Sequence, residues 1–164
     1  ARTLLNLDPM SAIGNYVVAE RYLEEDRIDM AEAAMRRALS RGPFPDGLNG
    51  LAWILFLQGR YAEGLTLAQQ AVASRNAPPI FYSTCGMLLL KNGKLEEAAA
   101  MLKQGIEKAG DQLPILKLHL AEVYLASGKT DEARQLVNGL KVPDRGWNIY
   151  EKQSLNRMKD VAAK

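Results

Sequence analysis

One frame recurs four times along this chain, and that spacing constrains the fold more than any other feature. The segment Ala19-Glu20-Arg21-Tyr22, followed by Asp26-Arg27-Ile28-Asp29-Met30-Ala31, returns as Ala52 to Leu55 with Gly59-Arg60-Tyr61-Ala62-Glu63-Gly64. It returns again as Gly86 to Leu89 with Gly93-Lys94-Leu95-Glu96-Glu97-Ala98, and as Ala121 to Tyr124 with Gly128-Lys129-Thr130-Asp131-Glu132-Ala133. The small residues at 19, 52, 86 and 121 step by 33, 34 and 35, and a second series, Ala31, Gly64, Ala98 and Ala133, keeps the same steps. A repeat of this length is one supersecondary unit that cannot bury its apolar side alone and must stack on its neighbours.

Within each copy the physics is that of a helical hairpin. Apolar residues fall at helical spacing, as in Val18, Ala19 and Tyr22, or Leu51, Ala52 and Leu55. The first helix stops at Gly59, Gly93 or Gly128, residues that take the left-handed conformation cheaply; Asp26 stands there in the first copy. Acidic pairs such as Glu96-Glu97 and Asp131-Glu132 open the second helix, where negative charge suits the helix dipole. The small residues allow close helix crossings, and a larger side chain at Ala31 or Ala98 is expected to force the helices apart. These signals predict hairpins over 12–44, 45–78, 79–112 and 113–142, with no strands.

The ends read differently. Leu4-Leu5-Asn6-Leu7-Asp8-Pro9 reads as the tail of a preceding repeat's second helix, giving a segment 1–11, and the chain opens on Ala1 rather than Met, so we expect a piece of a longer array or a processed chain. A short native lead-in is the plainer alternative. Val142-Pro143-Asp144-Arg145-Gly146 breaks the pattern. Trp147, Tyr150, Met158 and Val161 then mark one face of a last helix, 147–162, opposite Lys152 and Lys159. A helix with one buried and one solvated face is how a solenoid is capped; a truncated fifth repeat is the alternative.

Chemistry is sparse. Cys85 is the only cysteine and His119 the only histidine among 164 residues, too few for a zinc site or a disulfide. His119 sits mid-helix with no nucleophile motif beside it, and Cys85 lies among apolar neighbours; both read as core residues. The glycines occur singly at helix ends, so no phosphate-cradling loop exists. With a net charge of +2 and scattered Lys and Arg, the chain lacks the concentrated positive surface that nucleic acids require. No apolar run is long enough to span a bilayer. No catalytic residue, metal site or cofactor is expected.

Stretches such as Gly93-Lys94-Leu95-Glu96-Glu97-Ala98 and Ala121-Glu122-Val123-Tyr124-Leu125 resemble the tetratricopeptide repeat, and the resemblance covers nearly the whole chain. Departures are small: Gly64 replaces the usual Ala, Leu55 and Leu89 replace an aromatic, and only the first repeat ends on a well-placed Pro, Pro43. The resemblance implies an all-α, right-handed α-α superhelix of about four hairpins whose concave wall is lined by the first helix of each pair. Counting around those helices, the expected groove residues are Tyr16, Glu20 and Leu23 in the first repeat and Asn49, Trp53 and Phe56 in the second. The third contributes Ser83, Met87 and Leu90, and the fourth Leu118, Glu122 and Leu125. Apolar and aromatic side chains at the centre, rimmed by Glu20, Asn49 and Glu122, suit a protein or peptide partner. Trp53, Phe56 and Leu90 packed between repeats is the competing reading.

Two family subclasses are disfavoured. Members that bind heat-shock chaperones hold a C-terminal carboxylate with a clamp of Lys, Arg and Asn, where this chain has Tyr16, Glu20, Gly50, Ile80 and Thr84. Members fused to the nucleocytoplasmic glycosyltransferase carry an asparagine ladder, replaced here by Val17, Gly50, Thr84 and His119. Leu48-Asn49-Gly50-Leu51-Ala52-Trp53 with Gly59-Arg60-Tyr61-Ala62-Glu63-Gly64-Leu65 resembles arrays in bacterial envelope proteins of polysaccharide export, pilus assembly or secretion. That implies a bacterial periplasm or envelope, with cytoplasm the alternative. The expected function is a non-catalytic scaffold or adaptor that is part of a larger assembly. The rivals are a self-assembling homo-oligomeric spacer and the non-catalytic arm of a larger enzyme.

Overall fold

The computed structural model of the chain describes residues 8, 11–138, 140 and 149–162, with the side chains of 111, 149, 161 and 162 left aside. The described residues form nine α-helices, one 3-10 turn and no strand. Leu4, Leu5, Leu7 and Pro9, the Val142–Gly146 break and Trp147 lie outside the described residues, as does the side chain of Val161. The helices gather into two compact units that divide between Ala77 and Pro78, and each is taken by itself.

The first unit holds α1 (Ala12–Glu24), α2 (Ile28–Leu39), α3 (Pro45–Leu57) and α4 (Tyr61–Val72). Ser11 starts α1 by accepting a hydrogen bond from the Gly14 amide at 3.2 Å, an N-cap that satisfies one of the orphan donors of the first turn. Pro45 starts α3, where its missing N–H costs nothing. The reversal between α1 and α2 places Asp26 at φ 57°, and that between α3 and α4 places Gly59 at φ 78°. α1 packs on α2, α3 on α4, and α3 also lies against α2 and α1. Ala19, Ala31, Ala34 and Ala38 are sealed, which lets Met35, Ile54 and Leu55 fill the space between helices completely. Each of those three large side chains contributes roughly 1.5–3 kcal/mol of burial.

On the solvent side of this unit Glu32 ties α2 to the turn after α3. Its carboxylate accepts from Arg36 Nε at 2.8 Å, Arg60 Nη1 at 2.7 Å and Gln58 Nε2 at 2.8 Å. Partial burial pushes its pKa up, but the hydrogen bonds from Gln58, Arg60 and Arg36 outweigh that and hold it at about 2.

The second unit holds α5 (Pro79–Lys91), α6 (Leu95–Ala109), the turn Gly110–Gln112, α7 (Pro114–Ala126), α8 (Thr130–Asn138) and α9 (Ile149–Ala162). Close approach of α5 and α6 depends on Gly86: a Cβ there would stand 2.5 Å from Leu102 Cγ. α7 approaches α6 over Gly105, where a Cβ would meet Leu116 Cδ2 and Tyr82 Cβ at 2.8 Å each. α9 packs on α8 and α7, and its Leu155 and Met158 complete a core with Leu118, Ala121, Ala133 and Val137. No helix among the described residues is long and apolar enough to cross a membrane.

Candidate interaction faces

In the first unit α1 and α3 lie side by side and present their inner residues together. Tyr16 stands edge-on to Phe44, with ring centroids 5.9 Å apart at 67°. Burial raises its pKa, and the charges of Glu20 and Asp46 add to that. Glu20 lies over α3, its Oε1 only 3.8 Å from where a Gly50 side chain would begin. Burial raises its pKa first and Glu24 second, so the carboxylate is partly stripped of water and faces another anion. Asn49 Oδ1 is enclosed with no hydrogen-bond partner. Trp53 stacks on Phe56 at 4.8 Å and 10°, leaving Trp53 half-buried.

Phe56 is a correction to the sequence reading. It is 3% exposed, held between the stacked Trp53 ring and Tyr61 at 5.8 Å, and has no surface left for a partner. Sequence counting also passed over the two most open apolar residues of this face. Ile13 is 69% and Val17 43% exposed, each three residues before Tyr16 and Glu20 respectively, on the same side of α1. The available signal was the return of isoleucine at one frame position as Ile13, Ile80 and Ile115.

The second unit departs further from expectation. Ser83, Met87 and Leu118 are enclosed rather than open. The cause is legible in α5, which is buried without interruption from Phe81 to Leu89 because it has no polar stripe to turn toward water. Leu118 belongs to the core that α9 closes. Ser83 Oγ and His119 Nδ1 form a 2.7 Å hydrogen bond between α5 and α7, its direction set by the imidazole tautomer. Full burial lowers the His119 pKa to about 3, so the ring is neutral, and burial pushes the Cys85 thiol up to about 11. Glu122 is a further correction: Tyr150 donates to its Oε2 at 3.2 Å and Ser154 donates to its Oε1, so this carboxylate anchors α9 instead of rimming a groove. Burial raises its pKa against those two hydrogen bonds. Leu90 remains half-buried. Among the described residues no cluster of three metal-ligating side chains forms.

Sequential helix pairs, each leaning on the next within its unit, define an all-α helical-repeat protein. Family models of the tetratricopeptide repeat match residues 16–79 in one case and residues 55–117 and 89–150 in another. The chain belongs to the tetratricopeptide-repeat family. It is also similar to Cellulose synthase operon protein C of Pseudomonas fluorescens (strain SBW25), at 32% identity over 126 residues, which takes in 71% of this chain and 10% of that protein. The chain thus spans about a tenth of the length of the curated relative it matches. Among solved structures it is similar to PilW, a widely conserved type IV pilus biogenesis factor. That match has a TM-score of 0.78 and 22% identity, covering 99% of this chain and 78% of the other. It is also similar to the Yersinia enterocolitica type III secretion chaperone SycD, solved with a peptide of the translocator YopD. Here the TM-score is 0.58 at 18% identity, covering 71% of this chain and 87% of that one.

Proposed function

We propose that this chain is a non-catalytic interaction scaffold that holds a protein or peptide on the inner face of α1 and α3, the first helices of its first two repeats. The observation that carries the reading is the face formed by α1 and α3. The apolar side chains of Ile13 and Val17 stand open there, on the face that also carries the half-buried Trp53. A folded protein offers such a surface when something else covers it. The peptide-bound SycD, a fold relative, supports this use of helical repeats. Among the described residues, the hydroxyl–imidazole pair Ser83–His119 is sealed from solvent and its imidazole is a poor base, its pKa lowered by burial to about 3. The test is capture of partners from the native source on immobilised wild-type and Trp53→Ala protein, read by mass spectrometry. The proposal expects proteins that depend on Trp53 while the variant keeps its helical circular dichroism. Identical capture lists would refute it.

A second reading rests on the Pseudomonas fluorescens relative. On this reading the chain acts as an interaction segment of a longer protein that serves cellulose synthesis, as the relative's name, Cellulose synthase operon protein C, suggests. Deleting this segment in its host and measuring exported cellulose tests that placement.

A further inference from the structure

The first unit sorts its charges onto two sides. Arg21 and Arg27 engage Glu25, Arg36 and Arg60 engage Glu32 and Glu63, and Arg41 engages Asp8. None of the ion pairs among the described residues of this unit reaches Glu20, Glu24 or Asp46. Glu24 follows Glu20 by one turn of α1, and Asp46 stands toward the other end of the same face, in the first turn of α3. Glu20 is the one of the three that burial partly strips of water, and the neighbouring Glu24 adds like charge. The same face carries the open apolar side chains of Ile13 and Val17 and the half-buried Trp53. Unlike charge and apolar contact are thus both wanted along it.

We infer that the α1–α3 face docks a segment of a partner polypeptide in which lysine or arginine side chains lie between apolar ones. The cations sit against Glu20, Glu24 and Asp46, and the apolar side chains cover Ile13, Val17 and Trp53. This rests on the scaffold reading and adds the chemistry of the partner. An acidic segment would meet like charge, and a neutral one would leave Glu20 desolvated without compensation.

The test is fluorescence anisotropy of the full chain with a fluorescein-labelled peptide of alternating leucine and lysine, about twelve residues long. Two twins are run beside it, with glutamine or glutamate replacing each lysine. The basic peptide is expected to bind roughly tenfold or more tighter than the glutamine twin, with the glutamate twin weakest, and to weaken as salt rises. Glu20→Gln/Glu24→Gln/Asp46→Asn should cost the basic peptide roughly tenfold and leave the glutamine twin unchanged. Glu25→Gln/Glu63→Gln, on the other side, should change neither, and circular dichroism checks that every variant is folded. Failure of the basic peptide to bind, equal binding of basic and glutamine peptides, or equal weakening by both sets of variants overturns the inference. If the twins bind alike and Trp53→Ala abolishes them all, the scaffold reading stands and only the charge preference falls. If no peptide binds and partner capture is indifferent to Trp53, both fall.

Discussion

The buried pair Ser83–His119 makes the second unit sensitive to mild acid. In the unfolded chain an imidazole takes up a proton near pH 6.5, whereas burial keeps His119 neutral until about pH 3. Between those values the unfolded state binds more protons, so stability is fully present at higher pH and is lost as pH falls below the unfolded value. At about 1.4 kcal/mol for each unit, the whole displacement is worth about 5 kcal/mol. The part felt between about pH 7.5 and about pH 5 is about 2 kcal/mol. That is a large share of the roughly 5–15 kcal/mol that stabilises a domain.

The perturbation is His119→Asn, which keeps a polar atom near the Nδ1 position for Ser83 but cannot titrate. Urea unfolding of wild-type and variant, followed by far-ultraviolet circular dichroism at both pH values, gives the comparison. Asparagine lowers stability at neutral pH by roughly 1–3 kcal/mol, as changes to buried polar groups do. The informative quantity is the change with pH, from which common contributions cancel. Glu20 and Glu122, whose raised pKa values act in the opposite sense, are present in both proteins. Wild-type should lose about 2 kcal/mol more than the variant on acidification. Equal losses would mean that His119 titrates as if in water, and the enclosed Ser83–His119 pair would be refuted with it.

Four other outcomes follow from the packing. Gly86→Ala should destabilise by about 1–3 kcal/mol in thermal melts, because its Cβ meets the branch point of Leu102 at 2.5 Å. Gly50→Ala should be nearly neutral: its Cβ presses only on the end of the flexible Met35 side chain, Cε at 2.6 Å, with Met35 Sδ at 3.4 Å and Glu20 Oε1 at 3.8 Å at ordinary contact distance, and helix propensity gains roughly 1 kcal/mol. Glu32→Gln should cost about 1 kcal/mol near neutrality, since Arg36 and Arg60 are largely solvated. Because the Glu32 pKa is lowered to about 2, that difference from wild-type should shrink as pH falls from the ordinary glutamate range toward that value, which urea titrations along a pH series measure. Cys85, enclosed and with its thiol pushed up to about 11, should react with a thiol reagent at least roughly a hundredfold more slowly in the native chain than in urea. Rapid native labelling would contradict its burial.

The fold was legible because its causes are local and repeat. Glycine at 59, 93 and 128 takes positive φ, and the small residues Ala19, Ala52, Gly86 and Ala121 are sealed between helices, as the frame spacing requires. The functional face was only partly legible because exposure is not a property of a frame position. Glu20, Trp53, Met87 and Glu122 occupy one and the same place in successive repeats. Met87 is nonetheless sealed, on a helix apolar all round, and Glu122 is tied to Tyr150 and Ser154 of α9. Trp53 leans on Phe56, while Glu20 crowds against Gly50 and another carboxylate. Periodicity names the side of the helix; the neighbour it meets decides whether that side is core or surface.

The same contrast separates the corresponding faces of the two units. In the second, α9 satisfies Glu122 and closes the apolar seam with Leu155 and Met158, so the face is spent on stability. In the first, no helix among the described residues donates to Glu20, Glu24 or Asp46 in this way, and Ile13 and Val17 stay open. The hydroxyls that α9 brings to Glu122 are a neutral answer to a buried carboxylate. A lysine or arginine is the stronger answer, since hydrogen bonds from a charged donor are roughly twice as strong as neutral ones. A partner that supplies it would do for the first unit what α9 does for the second, and add net charge complementarity that an uncharged surface cannot give.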